Sequence, residues 1–158
     1  LALTDDDAER IGALAKCSPP LRPGAEVEAL WLELVAGNVS IVASDHSPAA
    51  PELKQGDDAF AIWGGISGCQ TGRATMLAEC DRRGLTLPAV ASLTATAAAA
   101  RFSLPTKGAL HPGRDADLAL VDLGFEAPLE AADLLYRHPH SPFRSPRTRT
   151  HRAGSKRR

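Results

Sequence analysis

The chain has 158 residues, 44% of them hydrophobic and 23% charged, with a formal net charge of −1. That length allows one domain with a sizeable core, and no run of about 20 apolar residues offers a membrane span. The acidic opening LALTDDDAER is not a signal peptide, and three cysteines without a CxxC pair read as reduced thiols in a cytoplasmic protein.

Thr4 with Asp7 three residues on predicts a capping box and a short helix. LAKCSPP, residues 14–20, reads as a brief strand stopped by Pro19 and Pro20. In PGAEVEALWLELVAGN, residues Val27, Leu30, Trp31, Leu34 and Val35 fall on one helix face, with Gly37 as the stop. VSIVAS, residues 39–44, is a continuous apolar strand of the kind buried in parallel sheets. Residues 14–45 therefore read as β-α-β, which implies a parallel sheet with a right-handed crossover.

Residues 45–65 form a loop rich in prolines, glycines and acids, and loops of that length tend to carry function. ISGCQTGRATMLAECDRRG predicts a helix ended by Gly84, its start weakened by Gly72 and Arg73. TLPAVASLTATAAAARFSL predicts two small Ala-rich helices. KGALHPGRDADLALVDL is turn-rich and then becomes a strand with Leu118, Leu120 and Val121.

Charge is divided unevenly. Residues 141–158 hold 7 Lys and Arg and no acid, leaving 11 basic and 19 acidic residues in 1–140, a balance of −8. After Ser141 only Phe143 and Ala153 are apolar, so disorder is expected there. A basic tail can bind nucleic acid. The acidic body argues against that role, and a solvated end is the favoured reading.

Asp45 stands where the second strand stops, and parallel α/β folds bind ligands at the carboxyl ends of their strands. A carboxylate there can ligate a metal or act as a general base. His46 could be a second ligand or a substrate contact. Taken bare, SDHSP is a weak signal, and an Asp capping a turn beside a surface His is the favoured reading of it. Cys17 reads as a small apolar residue, since nothing nearby would make it a thiolate.

Four motifs in order change that weight: KCSPPLR (16–22), SDHSP (44–48), FAIWGGISGCQ (60–70) and KGALHPGRDADLALVD (107–122). Together they resemble the C-terminal part of the cyclic amidohydrolases, the family of allantoinase, dihydroorotase and dihydropyrimidinase. PELKQGDDAFAIWGGISGCQ and YRHPHSPF lean toward the allantoinase branch, and dihydroorotase or hydantoinase stays open as the alternative. The resemblance implies an α/β fold: the C-terminal part of a (β/α)8 barrel over residues 1–104, with strands seven and eight, then part of a small β-sandwich over 105–143, and the basic tail 144–158.

The resemblance also implies a site. Two divalent metals, usually zinc, are bridged by a carboxylated lysine and a hydroxide, and Asp45 matches the ligand after strand eight, which also shuttles a proton. Ser18 and Gly64 match positions that contact the substrate ring. Lys16 lies in the strand-seven motif and is not the carboxylated lysine. His111, His138 and His140 read as structural, the last two in a loop remote from the metals. The implied partners are a small cyclic amide and further copies of the chain in a tetramer, with no membrane and no nucleic acid.

Five of the six expected protein ligands are missing, and the chain opens on Leu1, so it reads as the last third of a longer protein. Alone it is expected to be inactive, and a non-catalytic fragment or pseudoenzyme is the reading from another class. From Arg144 on, an apolar sandwich strand is expected and a basic run stands instead. We hypothesise a shifted reading frame there; resequencing that returns the same bases would sink the idea.

Overall fold

Thr4 opens the first helix as its spacing predicts. Its Oγ1 accepts the Asp7 N–H at 3.4 Å, and Asp7 accepts the Thr4 N–H at 3.1 Å, closing a capping box on α1 (Asp5–Ile11). The computed structural model describes residues 1–143 and 149–156. After α1 come a 3-10 turn (Gly12–Ala15), α2 (Gly24–Val35), a second 3-10 turn (Pro51–Lys54) and α3 (Cys69–Arg82). Then follow α4 (Leu87–Ala91), a π turn (Ser92–Thr96), α5 (Ala97–Arg101), β1 (Leu118–Pro128), a 3-10 turn (Ala131–Asp133) and β2 (Arg149–Lys156).

Helices α2 and α3 end alike. The N–H of Gly37 reaches Leu34 and that of Asn38 reaches Glu33; those of Gly84 and Leu85 reach Asp81 and Cys80. Both are Schellman endings, in which a residue with positive φ closes the helix. Gly37 and Gly84 supply φ of 83° and 72°, where a side chain would be strained.

The core joins Trp31 and Leu34 of α2 to Met76, Leu77 and Cys80 of α3 and to Val90 and Leu93 beyond it. Leu30 and Val35, which the helical spacing placed on the same stripe, are 45% and 58% exposed. Among the described residues the cluster covers only one side of α2. No helix among the described residues is long and apolar enough to cross a membrane.

The expected β-α-β unit is there only in its helix. Residues 12–15 form a 3-10 turn instead of a strand, and residues 39–44 run without a ladder partner. Strands exist through the hydrogen bonds of a neighbour, and no described segment supplies them beside either stretch. Val39 and Val42 still pack on the core, and the Val42 N–H donates to the Leu93 carbonyl at 2.9 Å.

The tail also departs from expectation. Residues 149–156 are not irregular but pair antiparallel with β1, Leu118 opposite Lys156 through Asp122 opposite Arg152. Pairing resumes from Glu126 opposite His151 to Pro128 opposite Arg149. A ladder is built from backbone groups, so the added strand needs no apolar composition when an edge is open to it. The rest of the expected disordered tail, 144–148 and 157–158, lies outside the described residues.

Candidate functional site

Asp45 follows the extended segment 39–44 and is exposed. The Ser47 N–H donates to the Ile66 carbonyl at 2.9 Å, and His46 bridges Ser67 in antiparallel fashion. Residues 45–47 therefore run against 66–68. A Cβ on Gly68 would collide with the Asp45 carbonyl oxygen, so glycine there lets the two backbones meet. No hydrogen bond or ion pair among the described residues engages the Asp45 carboxylate. It lines a cavity of about 220 Å³ with Ser44, Thr75 and Glu79.

Ser18 and Gly64 are brought together from distant parts of the chain. A Cβ on Gly64 would lie 3.4 Å from the Ser18 Cβ and 3.8 Å from its nitrogen. Residues 64–68 link this pair to Asp45, a path of at most about 14 Å when extended.

Two lysines hold the loop to the segment carrying Ser18. The Lys16 ammonium donates to the carbonyls of Ala59 and Ile62, so Lys16 is a backbone clamp. Lys54, 4% exposed, donates to the carbonyls of Lys16 at 2.9 Å, Trp63 at 3.0 Å and Gly65 at 3.0 Å. Burial pushes the Lys54 ammonium below its ordinary range. Lys54 lies in the loop 45–65, which the sequence marks as one that tends to carry function without singling this residue out. The available signal was the loop itself, whose buried carbonyls all need donors.

His46 accepts the Cys69 N–H through Nδ1 at 3.4 Å, which puts the proton of its neutral form on Nε2. Its ring centroid lies 5.1 Å from that of Tyr136. Gln70 fixes this neighbour: its N–H reaches the Tyr136 hydroxyl at 2.7 Å, and its side chain bonds the Asp133 carbonyl at 2.6 Å and the Leu135 N–H at 2.8 Å. The segment around Tyr136 thus comes to His46, and a cleft of about 520 Å³ is lined by His46, Trp63, Tyr136, Arg137 and His138. His140, by contrast, is taken by the Ala49 carbonyl at 2.8 Å, and His111 by that of Pro112 at 2.8 Å. Both have the structural roles expected of them.

Burial pushes the Cys17 thiol above its ordinary value, so it is not a ready nucleophile. Among the described residues no three His, Cys, Asp or Glu side chains converge to hold a metal ion. Asp45 offers one carboxylate, and these residues do not make a metal centre by themselves.

No family model matches the chain. It is 53% identical over 144 residues to an allantoinase from Rubrobacter xylanophilus, a match spanning 90% of this chain and 32% of that protein. An allantoinase from Solibacter usitatus is 50% identical over 144 residues, with the same shares, 90% and 32%. Among solved structures, an L-hydantoinase (dihydropyrimidinase) from Arthrobacter aurescens superposes with a TM-score of 0.83 at 32% identity, over 89% of this chain and 32% of that one. The chain is thus homologous to a part of the allantoinases and shares part of the hydantoinase fold. It spans about a third of the length of the relatives it matches.

Proposed function

We propose that the chain is the C-terminal third of an allantoinase-type cyclic amidohydrolase, which opens the hydantoin ring of allantoin to allantoate. The observation that carries this is the 53% identity to an allantoinase over 144 residues, a stretch that takes in nearly the whole chain. Within the reading, residues 14–18 and 39–44 correspond to barrel strands seven and eight, and residues 105–143 belong to a β-sandwich.

Asp45 is the acid–base residue of the reading. Its exposed carboxylate accepts a proton from the attacking water and returns it to the departing ring nitrogen, a poor leaving group unless protonated. Ser18 and Gly64, whose backbones pack against each other, turn their backbone groups to the planar amide edge in this reading. Asp45 would also give one oxygen donor to a metal centre, such as the zinc pair, whose remaining donors would come from outside these residues. Such a centre supplies hydroxide near neutral pH when bound.

The test joins this chain to the missing two-thirds and assays ring opening. Allantoin turnover is expected, and Asp45→Asn should lower kcat by roughly 10²- to 10⁴-fold. An Asp45→Asn enzyme with unchanged kcat would remove the residue from the chemistry. The likeness to an L-hydantoinase, TM-score 0.83, favours a second reading, hydrolysis of substituted hydantoins or dihydropyrimidines. A substrate panel separates the two, because turnover of those rings without allantoin selects the second.

A further inference from the structure

Lys54 is a buried cation. Among the described residues no carboxylate pairs with it, and its three N–H groups all go to backbone carbonyls. A buried ammonium is costly unless every proton is satisfied, so its arrangement needs a reason. The carbonyls it holds supply one. Lys16 lies two residues before Ser18, while Trp63 and Gly65 flank Gly64. One ammonium therefore ties both sides of the Ser18–Gly64 contact to a single point. The Lys16 side chain adds a second tie to the same loop through Ala59 and Ile62.

We propose that Lys54 is a positioning residue for ring binding: by holding the carbonyls of Lys16, Trp63 and Gly65 it fixes the backbones of Ser18 and Gly64 against each other. The inference rests on the functional reading above, in which those two backbones meet the amide edge. The tetrahedral ammonium reaches three carbonyls from one atom. Methionine fills the space but donates nothing, and arginine keeps the charge in a planar fork that does not fit three converging acceptors.

The test measures steady-state kinetics of Lys54→Met and Lys54→Arg in the completed enzyme, with hydrogen exchange at the amides of Trp63, Gly64 and Gly65. Both variants should raise KM about tenfold with kcat within twofold, and exchange at those amides should quicken. Wild-type KM in either variant, or a fall in kcat with KM unchanged, overturns the proposal. If Lys54→Met does not fold, Lys54→Arg decides; its failure to fold as well would make Lys54 a folding residue only and overturn the proposal. A wild-type enzyme that leaves every cyclic amide intact defeats the functional reading instead. The clamp is then judged on exchange alone, with unchanged rates counting against it.

Discussion

A Cβ on Gly72 would stand 3.0 Å from the Cβ of Ser44. Helix α3 therefore docks on the segment that ends in Asp45 through two positions without side chains, since Gly68 meets the Asp45 carbonyl in the same way. Read from the sequence, Gly72 only weakens a helix start. In the fold it is what allows the approach, and α3 forms in spite of its poor propensity because packing outweighs it.

Gly68→Ala should be the more damaging of the two alanine changes. Its methyl would meet backbone, which cannot swing away, so α3 or Asp45 must move. A loss of about 1–3 kcal/mol is expected from overpacking of this kind. At Gly72 the obstacle is a side chain, and the helix gains from alanine by up to about 1 kcal/mol, so the net loss should be smaller. Urea melts of the two variants check the order; a Gly68→Ala protein as stable as wild type would show that the contact is slack.

Arg83 and Trp31 form a second cross-helix relationship. The guanidinium lies 4.5 Å from the indole centroid, and it bonds Glu28 and Glu79. Trp31 is 1% exposed and also donates its indole N–H to the Leu1 carbonyl at 2.8 Å. Trp31→Ala should cost about 3–5 kcal/mol, as large aromatic deletions in cores do. Arg83→Met keeps the stem over the ring and removes the charge, so its loss should be about 0.5–2 kcal/mol. Thermal melts test both. Equal losses would mean that the guanidinium, not the indole, anchors the contact.

The helices were legible because their signals are local. Thr4 with Asp7, the apolar spacing of Trp31 and Leu34, and Gly37 and Gly84 as stops all act within a few residues of themselves. The stretches 14–18 and 39–44 read as strands yet form no ladder among the described residues, because a strand is a relation between segments, and apolar composition cannot supply the partner. The strand at 149–156 was missed for the converse reason: its backbone pairs whatever its composition. At the site, Asp45 stood out by its place after an apolar run. Lys54 and Gln70 did not, because their roles depend on carbonyls and amides brought close by the fold.

The capping box of α1 predicts an acid-sensitive N-terminus. Burial raises the Asp7 carboxyl, but hydrogen bonds from Arg10 and the Thr4 N–H outweigh it, and the group sits below its ordinary value of 3.8. A depressed carboxylate contributes stability that is present above the unfolded value and lost as pH falls toward the folded one. Amide exchange in α1 should therefore quicken as pH drops below about 4, after correction for intrinsic exchange. Asp7→Asn should remove most of that pH dependence while leaving α3 unchanged. An identical acid response in the variant would assign it to other carboxylates.

The sheet gives the last prediction. Between the two paired stretches of β1, residues 123–125 face no partner, and the Gly124 N–H turns to the Asp122 side chain at 2.9 Å instead. Two strands alone are marginal in water, so this ladder depends on β2 staying seated along β1 and beside α3. Amides in 118–122 should exchange more slowly than those in 123–125. Truncation after residue 148 should bring the whole of β1 to the faster rate and raise its tendency to pair with another chain, because an open edge is a template for further strands. Light scattering and exchange on the truncated chain measure both effects. Unchanged protection in 118–122 after truncation would mean that β2 does not hold that edge.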